Sequence, residues 1–550
     1  MSNSVVRQIV LLIVVGTTAC SARTSFGQVP DTVANLQVQA VQQNQSNWGY
    51  WGPNPDVYSS WKTHSNRLIP VYTFGIGLDA VKGENSVYRN EVAIKKLYGE
   101  VPEQTLNPQA EYFDQTDIYR LQQSAVAAGK KRVILFVFDG MDWQTTRAAA
   151  ISRAGAVSYD SGRGKGLAFI DYRGVETDFG YFVTSPHNEG TSVNVDKQTV
   201  TNAGGKLRGG YAPKLCGSAP WDAITDADYP IGKGKTLKHA YTDSASSATS
   251  LTSGIKTYNN AINVDATGAG VLPIARSLQE QGFAIGVVSS VPISHATPAC
   301  AYANNVHRSD YQDITRDMVG LPSVFNVAGL PGVDVLIGAG WGEEKEKDAA
   351  QGDNFVAGNK YMTAEDLSTI DVNAGGKYVV AQRTNGVSGL QVLNNGVKEA
   401  IKKGHKLFGY FGVGAGHLPF QTANGDYQPV ISFGTPKPEK AEVYSQADLE
   451  ENVKLKDMAL AAVEVLNSRS ENWWLMIEAG DVDWANHSNN IDNSIGAVLS
   501  GDDAFASVVS WIEQNGGWQD TALILTADHG HYLNLKKPEA LIAPKSAAAE

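Results

Sequence analysis

Cysteine is scarce in this chain, and its scarcity excludes two kinds of small scaffold. Three cysteines occur among the 550 residues, at Cys20, Cys216 and Cys300. This number and spacing fit neither a zinc-finger framework nor a disulfide-rich secreted domain. Cys216 and Cys300 could form a disulfide bond, and the sequence leaves that pairing open.

An excess of positive charge is also missing. The formal net charge is −12, the pI is about 5.4, and no stripe of lysine and arginine runs along the chain. Because a specific nucleic-acid partner normally requires a basic surface, we expect no such partner. An anionic substrate would need local positive charge, from metal ions or from a well-placed arginine.

The N-terminal apolar run is too short to be a membrane span. It covers residues 9–15 and follows Arg7. A basic residue before a short apolar run is typical of a secretory signal. We therefore expect residues 1–22 to be a signal peptide, the protein to be periplasmic or secreted, and no membrane span to be present. The segment Thr18-Ala19-Cys20 leaves a lipid anchor at Cys20 open as an alternative.

The chain does contain a regular alternation of apolar and amphipathic segments. Apolar runs that predict buried strands lie at residues 68–75, 133–138, 284–290, 333–338, 407–412, 474–478 and 522–526. Helical patterns lie at residues 117–130, 271–282, 390–403, 449–466 and 502–515. Strands that alternate with helices predict an α/β fold, a three-layer α/β/α sandwich with a largely parallel central sheet. Pro70 puts its run at the sheet edge or at a strand start.

Composition indicates one main domain. We find no internal repeat and no second composition class, so a single domain is predicted over residues 56–542. Residues 23–55 are polar and rich in glutamine and asparagine, which predicts a flexible N-terminal arm. Residues 161–231 are rich in glycine and polar turn formers and are predicted to be an insertion of loops and short strands. Residues 543–550 are a predicted tail.

A run of small and hydroxylic residues at 241–249 carries the first chemical signal. Its one acid, Asp243, stands directly before Ser244. Small side chains let a helix N-terminus lie close to other backbone, and the free N–H groups of that terminus favour a bound anion. A serine there can attack phosphorus when a metal ion promotes loss of its proton. Taken alone, the run could equally be an ordinary helix cap.

Acids and histidines recur where predicted strands end. Asp139 follows one such strand, Asp483 a second, and the adjacent Asp528 and His529 a third. Functional groups of open α/β sheets gather at the carboxyl ends of the strands. Asp483 and His487 are four residues apart, which places them on one face of a helical turn. Each signal alone could mark a turn or a surface pair, but their recurrence predicts zinc at carboxylate–imidazole sites and magnesium at oxygen-only sites.

Together these segments resemble the alkaline phosphatase family. The matching segments, in chain order, are Phe138-Asp139-Gly140-Met141, Thr242-Asp243-Ser244-Ala245, Ser294-His295-Ala296-Thr297-Pro298-Ala299, Arg308, residues 478–487 and Thr526-Ala527-Asp528-His529. The resemblance covers roughly residues 131–531, and as a set the motifs are highly specific. It implies an alkaline phosphatase-like catalytic domain that hydrolyses small phosphate monoesters, and it leaves a homodimer open.

The resemblance also implies the roles of the site residues. Ser244 would be the nucleophile that becomes phosphoserine, and Arg308 would clamp the phosphate with bidentate hydrogen bonds. The implied cofactors are two Zn²⁺ and one Mg²⁺. One zinc would be held by Asp483 and His487, and the second by Asp139, Asp528 and His529. The magnesium would be held by Asp139, Thr297 and Glu478, with His295 beside it but outside the ligand set.

One zinc ligand of the family is missing from its usual place. The family has a further histidine well after the Asp-His pair, whereas no histidine follows His531 in this chain. Residues 63–72, which contain His64 and then an apolar strand, resemble that missing segment at the opposite end of the chain. A circular permutation would explain the arrangement and would make His64 the third ligand. An exposed loop position for His64, with His531 or His417 as the ligand, is the alternative.

Other functions stay open at this point. A phosphodiesterase or a phosphotransferase could use the same scaffold. A non-catalytic surface protein that binds metal or phosphate is a second alternative, although the full set of nucleophile, arginine and ligands argues against it. No Cys/Ser-x-Pro-x-Arg motif occurs, which disfavours a sulfatase.

Overall fold

The structure, a computed structural model, describes residues 31–158 and 160–542. The predicted signal peptide, Cys20 and the predicted tail lie outside the described residues. The helices are α1 (Thr32–Gln43), α2 (Glu91–Tyr98), α3 (Thr116–Ala127), α4 (Trp143–Ala154), α5 (Ala168–Asp171), α6 (Pro213–Cys216), α7 (Ser244–Ser253), α8 (Ile274–Glu280), α9 (Ala296–Cys300), α10 (Tyr311–Val319), α11 (Ala364–Ile370), α12 (Gly389–Lys403), α13 (Gln446–Glu450), α14 (Leu455–Arg469), α15 (Asp481–His487) and α16 (Ile491–Gln514).

The strands are β1 (Gly49–Trp51), β2 (His64–Ser65), β3 (Ile69–Phe74), β4 (Phe113–Asp114), β5 (Arg132–Phe138), β6 (Thr177–Val183), β7 (Ser192–Asn194), β8 (Thr199–Asn202), β9 (Ala284–Pro292), β10 (Val335–Ala339), β11 (Glu344–Lys345), β12 (Gly358–Asn359), β13 (Tyr378–Gln382), β14 (Lys406–Tyr410), β15 (Ser432–Gly434), β16 (Lys437–Glu439), β17 (Trp473–Ala479), β18 (Thr521–Thr526), β19 (Gly530–His531) and β20 (Leu533–Leu535).

Ten strands form the central sheet, in the order β13-β14-β10-β9-β17-β5-β18-β3-β6-β4. Every neighbouring pair from β13 to β18 is parallel. Within this sheet β3 alone runs against its two neighbours, β18 and β6. The parallel strands β9, β17 and β18 are buried along their whole length, which is why each appears in the sequence as a continuous apolar run. The predicted, largely parallel sheet is confirmed.

Helices cover both faces of this sheet. On one face α12, α14 and α16 pack against one another and against strands such as β9 and β17. On the other face α3, α7, α8 and α9 form a second layer that contacts β5, β9, β17 and β18. Burying an apolar face of each helix against the sheet produces one continuous core. The molecule is therefore the predicted three-layer α/β/α sandwich.

Helix α16 is long and apolar enough to cross a bilayer by length and composition alone. However, 67% of its most apolar stretch is buried inside the protein. Its contacts are with α4, α14, α15 and β17, which surround it as they would a core helix.

The predicted flexible arm is wrong for residues 31–55. Helix α1 begins after Asp31, whose carboxylate accepts a hydrogen bond from the Ala34 amide. Ala40 of α1 and Trp51 of β1 are buried in the main core. The composition concealed this packing because the side chain that anchors the helix, Gln37, is polar and fully buried.

The predicted insertion at residues 161–231 needs a smaller correction. Strand β6 lies within it, yet pairs with β3 and β4 as part of the central sheet. Only about half of the positions of β6 are fully buried, so its pattern is less apolar than that of the central strands. The remainder contains the short strands β7 and β8 and the single turn of helix α6, as expected for loops and short elements.

The two described cysteines are not paired. Cys216 and Cys300 are both buried free thiols, so the disulfide that the sequence left open is not present. Burial raises the pKa of Cys216 to about 11 and that of Cys300 to about 12, which keeps both thiols protonated at neutral pH.

Candidate metal centre

The antiparallel strand β3 brings an N-terminal segment to the edge of the sheet at which the parallel strands end. Because β3 runs against β18, its amino end lies where the parallel strands have their carboxyl ends. Just before it, β2 pairs with β19 so that His64 stands opposite His531. An N-terminal histidine thus reaches the residues that follow β18.

Helix α15 carries two of the predicted ligands at the end of β17. Asp483 and His487 lie one turn apart, with Asp483 Oδ1 and His487 Nε2 separated by 3.4 Å. The other ring nitrogen of His487, Nδ1, lies 2.7 Å from the carbonyl oxygen of Lys62. A hydrogen bond donated from Nδ1 to that oxygen orients the ring and leaves Nε2 free to bind a metal ion.

Among the described residues, three groups of side chains could each hold a metal ion. They are His64 with Asp483 and His529, Asp483 with His487 and His531, and Asp139 with Asp528 and His529. Within each group the ligand atoms lie within 4.8 Å of one another. Mixed carboxylate and imidazole donors of this kind suit zinc. The groups share members, so they form one continuous centre.

Three buried carboxylate oxygens without hydrogen-bond partners indicate that cations would fit this centre. Asp139 Oδ1, Asp528 Oδ2 and Glu478 Oε1 are inaccessible to solvent and have no hydrogen-bond partner. Burial first, and then neighbouring carboxylates, raise the pKa of Asp139 and of Asp528 well above the usual range. Burial likewise raises the pKa of Glu478 to about 8. Several buried acids without compensating charge are unfavourable, and divalent cations would offset that charge.

Two histidines of the centre, His64 and His531, favour the neutral state that binds metals. Burial, followed by the neighbouring imidazoles, lowers the pKa of His64 well below its usual value. Burial also lowers the pKa of His531 to about 3. For Asp483 burial alone would raise the pKa, but the surrounding histidines hold it well below the usual range. A zinc ion binds imidazole in its neutral form and carboxylate in its ionised form, so these directions suit His64 and Asp483 as ligands.

The oxygen-only set that the resemblance assigned to magnesium is also assembled. Thr297 Oγ1 donates a hydrogen bond to Asp139 Oδ2 at 3.3 Å. Glu478 is close enough to Asp139 to raise its pKa, and it accepts a hydrogen bond from the Ser289 hydroxyl. Hydroxyl and carboxylate oxygens suit magnesium. His295 lies apart from this set, with Nε2 3.3 Å from Arg308 Nη2.

Ser244 is the first residue of α7 and lies beside the group formed by Asp139, Asp528 and His529. Its Oγ is 3.1 Å from His529 Nε2. Asp243 caps the helix by accepting a hydrogen bond from the Ser246 amide at 2.9 Å. Ser247, one turn on, donates to the backbone oxygen of Asp528, which ties α7 to the end of β18. The predicted helix start and its serine are therefore at the metal centre.

Arg308 faces a cavity next to this serine. Its Nη1 donates to Asp243 Oδ2 at 3.1 Å, and its backbone amide donates to the Asn260 carbonyl oxygen. Burial opposes the charge on Arg308, but Asp243 raises the pKa of the guanidinium above its usual value, so it stays protonated. The cavity has a volume of about 710 Å³, and Asp243 and His487 also line it.

The structure brings the predicted site residues together. The contacts above join one set, namely His64, Asp139, Ser244, Thr297, Arg308, Glu478, Asp483, His487, Asp528 and His529. Of the two alternative ligands, His417 lies outside all three groups and contacts Glu442 at 3.0 Å. His531 is inside one group, with Nε2 2.7 Å from Asp483 Oδ1.

Some contributors to the centre had no usable sequence signal. Ser289, which donates to Glu478, lies inside a predicted strand and looks like any buried serine. The Lys62 carbonyl that orients His487 is a backbone group and leaves no mark on the sequence. His531 did carry a signal, because it stands two residues after His529.

The known proteins to which this chain is similar are alkaline phosphatases. A family model described as alkaline phosphatase matches residues 226–540. Alkaline phosphatase 4 of Bacillus subtilis (strain 168) is 27% identical over 291 residues, which is 52% of this chain and 49% of that protein. The alkaline phosphatase of Escherichia coli (strain K12) is 26% identical over 361 residues, 64% of this chain and 69% of that protein. The solved alkaline phosphatase of Thermus thermophilus aligns with a TM-score of 0.43 at 19% identity, covering 73% of this chain and 60% of that one.

The family model and the relatives each match only part of this chain. The chain spans about half the length of the two Bacillus subtilis relatives that it matches. The region matched by the family model contains Ser244, Thr297, Arg308, Glu478, Asp483, His487, Asp528 and His529. Asp139 and His64 lie before that region, and only the fold brings them to it. Because the model matches more than half of its residues, this chain belongs to the alkaline phosphatase family.

Proposed function

We propose that this protein is an alkaline phosphatase that hydrolyses phosphate monoesters with Ser244 as its nucleophile. One observation carries the proposal: Ser244 Oγ lies 3.1 Å from His529 Nε2, in the group that also contains Asp139 and Asp528. Membership of the family supports the same reaction. The activity and substrates of the whole protein are part of the proposal, because the chain spans only about half of its Bacillus subtilis relatives.

We infer that two Zn²⁺ and one Mg²⁺ are the cofactors. The mixed donor groups support zinc, and the oxygens of Asp139, Thr297 and Glu478 support magnesium. When bound, such ions act as Lewis acids and lower the pKa of a coordinated hydroxyl. By ligand-atom distance Asp483 and His487 form a group with His531, whereas His64 forms one with Asp483 and His529 and has its ring centroid 4.9 Å from that of His487. We assign His64 as the third ligand beside Asp483 and His487, and His531 as a hydrogen-bond partner of Asp483, from which its Nε2 is 2.7 Å away. A circular permutation would account for an N-terminal ligand on β2.

The chain's own groups bind and orient the phosphoryl group. N–H groups at the start of α7 favour an anion beside Ser244. Arg308 can donate two parallel hydrogen bonds to phosphoryl oxygens, while Asp243 holds the guanidinium in place. Ser244 Oγ then forms a bond to phosphorus as the ester P–O bond breaks, which yields phosphoserine and the free alcohol. Hydrolysis of the phosphoserine by water restores Ser244 and releases inorganic phosphate.

Hydrolysis of a simple monoester by metal-loaded protein tests this proposal. Ser244→Ala should lower turnover at least about a thousandfold while metal content and far-ultraviolet circular dichroism stay unchanged. Ser253→Ala, at the opposite end of the same helix, is the matched control and should keep its activity. Faster turnover of a diester than of the monoester would instead favour a phosphodiesterase. No turnover of either ester by the loaded protein would favour a non-catalytic binding role.

We also propose that the protein is exported to the periplasm or beyond. The support is the sequence pattern of Arg7 followed by the apolar residues 9–15. Expression of the full chain in a Gram-negative host, followed by N-terminal sequencing of the purified protein, tests it. A mature chain that starts near residue 22 is expected, and a cytoplasmic product that keeps Met1 would contradict export.

A further inference from the structure

A second cavity lies on the other side of helix α15 from the metal centre. Its volume is about 670 Å³, a size that encloses a small organic molecule. Asp481 and Asp483 are two positions apart in α15, so they point about 200° apart around the helix axis. Asp483 faces the metal centre, whereas Asp481 lines the second cavity. The two cavities share a wall, since His417 lines the first and its neighbour Leu418 lines the second.

Asp481 places a buried carboxylate in this cavity. The residue is 8% exposed, and its Oδ1 accepts a hydrogen bond from the Ser290 hydroxyl at 2.7 Å. Among the described residues, no other residue donates a hydrogen bond to Oδ2, and no lysine or arginine forms an ion pair with the carboxylate. A buried carboxylate with one oxygen unpaired favours a ligand that donates a hydrogen bond and carries positive charge.

The side chains that line this cavity carry an excess of negative charge. Four carboxylates and one ammonium group line it, namely those of Glu450, Glu451, Asp457, Asp481 and Lys454. Lys454 Nζ lies over the ring of Tyr427, 5.5 Å from its centre, and Tyr427 also lines the cavity. Burial, and then the charges of Asp481 and Asp457, raise the pKa of Tyr427 to about 12. The chain's own ammonium group is thus held at this ring and does not pair with Asp481.

Leucine side chains line both the buried part and the mouth of this cavity. Leu418 and Leu455 are buried, whereas Leu390 and Leu449 are 43% and 37% exposed. Exposed leucines at a cavity mouth are covered when a ligand with an apolar chain binds, and their removal from water stabilises the complex. The cavity therefore combines a buried carboxylate with apolar walls.

We propose that this cavity binds a protonated organic amine that carries an apolar chain, with Asp481 as its counter-ion. A primary ammonium group has three N–H donors, and one of them can be directed to Asp481 Oδ2. Its chain would pack between the leucines, which a bare metal ion would leave exposed. The excess of carboxylates disfavours an anion. None of the proposed metal ligands lines this cavity, so the inference is separate from the proposed reaction.

A saturation-transfer NMR titration of the metal-loaded protein with hexylammonium at pH 7 tests this site. An alkylammonium keeps its proton at this pH, as lysine does, and in that form it cannot coordinate zinc. We expect saturable binding with a Kd of about 1 mM, and inorganic phosphate should not displace the ligand. Hexanol, which lacks the charge, and ethylammonium, which lacks most of the chain, should each bind at least about tenfold more weakly.

Two variants separate a specific counter-ion from the general charge of the cavity. Asp481→Asn keeps an oxygen acceptor for the Ser290 hydroxyl but removes the charge, so the Kd for hexylammonium should rise at least about tenfold, to near that of hexanol. Glu450 is an exposed carboxylate that also lines the cavity, and Glu450→Gln is the matched control. Its Kd should change by less than about twofold, because solvent screens an exposed charge.

Three results would overturn the proposal. The first is equal affinity of the unmodified protein for hexylammonium and hexanol, a comparison that decides the case even if Asp481→Asn does not fold. The second is an equal loss of affinity in the Asp481 and Glu450 variants, which would mean that Asp481 is not the counter-ion. The third is displacement of hexylammonium by inorganic phosphate, which would place the ligand at the metal centre instead.

Discussion

Gln37 donates a hydrogen bond from Nε2 to the carbonyl oxygen of Asn489 at 3.2 Å, although the two residues are 452 positions apart in the chain. The Gln37 Oε1 accepts hydrogen bonds from the Tyr58 hydroxyl at 2.6 Å and the Ile491 amide at 3.0 Å. Asn489 has a φ of 44°, so its backbone is in the left-handed region, in the turn that follows His487. The N-terminal helix thus holds the turn that follows a predicted metal ligand.

Replacing this glutamine should therefore loosen both the fold and the metal site. Gln37→Leu leaves the Ile491 amide and the Ile431 carbonyl oxygen without their partner, and we expect a loss of about 2 kcal/mol in the free energy of unfolding. Zinc affinity at the Asp483–His487 site should also fall, measured by titration with a chromophoric chelator. Gln39→Leu, at an exposed position of the same helix, is the control. If the two variants have the same free energy of unfolding and the same zinc affinity, Gln37 stabilises neither the fold nor the zinc site.

The roles assigned to His64 and His531 predict different losses of metal. His64→Ala should remove about one equivalent of zinc, because a zinc site with two protein ligands binds weakly. His531→Gln should keep the equivalent but weaken its binding by about tenfold to a hundredfold, as expected for a group that hydrogen-bonds to a ligand. Elemental analysis after dialysis measures both. The opposite pattern, with zinc lost only in the His531 variant, would make His531 the ligand and remove the support for a permutation.

Arg308 is predicted to act through the shape of its guanidinium as well as its charge. Arg308→Lys keeps one positive charge but cannot donate two parallel hydrogen bonds. We expect inhibition by inorganic phosphate to weaken about tenfold or more, with metal content unchanged. Steady-state kinetics with added phosphate measure the effect. An unaltered inhibition constant would mean that Arg308 does not contact the phosphate.

Asp310 predicts a pH dependence of stability away from the metal ligands. The residue is 1% exposed, Oδ1 has no partner, and Oδ2 accepts hydrogen bonds from Gln198 and Asn305. Burial, and then the nearby Asp313, raise its pKa to about 8. The folded protein then holds a proton that the unfolded chain has lost between about pH 4 and about pH 8, so this residue lowers stability as pH rises through that window.

Asp310→Asn removes this titrating group and tests whether its ionisation lowers stability as pH rises. The amide resembles the protonated acid, so the variant should gain stability relative to the unmodified protein from about pH 4 to about pH 8 and then hold its advantage. Urea unfolding at several pH values measures the difference. Asp353→Asn, at an exposed position, is the control. A difference that stays flat over this range would mean that Asp310 is ionised throughout.

The strands and the site residues could be predicted because their signals are local. Burial on both faces makes β5, β17 and β18 continuous apolar runs, and the chemistry stands directly after each of them. The spacing of Asp483 and His487 is a helical turn in the structure as well. Most of the side chains that meet at this centre therefore stand at positions that a local sequence pattern indicates.

Elements that depend on distant partners could not be predicted in this way. The single helix predicted at residues 449–466 is interrupted between Glu450 and Leu455, where Asn452 Oδ1 accepts a hydrogen bond from the distant Gly412 amide at 2.7 Å. Helix α16 begins at Ile491, well before the predicted start, although Gly496 is a poor helix former. A side chain at Gly496 would meet the Gln421 backbone, with a Cβ only 2.0 Å from its carbonyl oxygen. Tertiary packing, rather than propensity, selects glycine there.

Ser244 is expected to become phosphorylated during turnover at this metal centre. The most direct measurement is peptide mass spectrometry of metal-loaded protein quenched in acid while it hydrolyses a phosphate monoester. We predict one phosphoryl group on the peptide that contains Ser244, and its absence when the protein is stripped of metal before substrate is added. A phosphoryl group on a different residue, or steady turnover with no phosphorylated peptide at the earliest quench times, would contradict it.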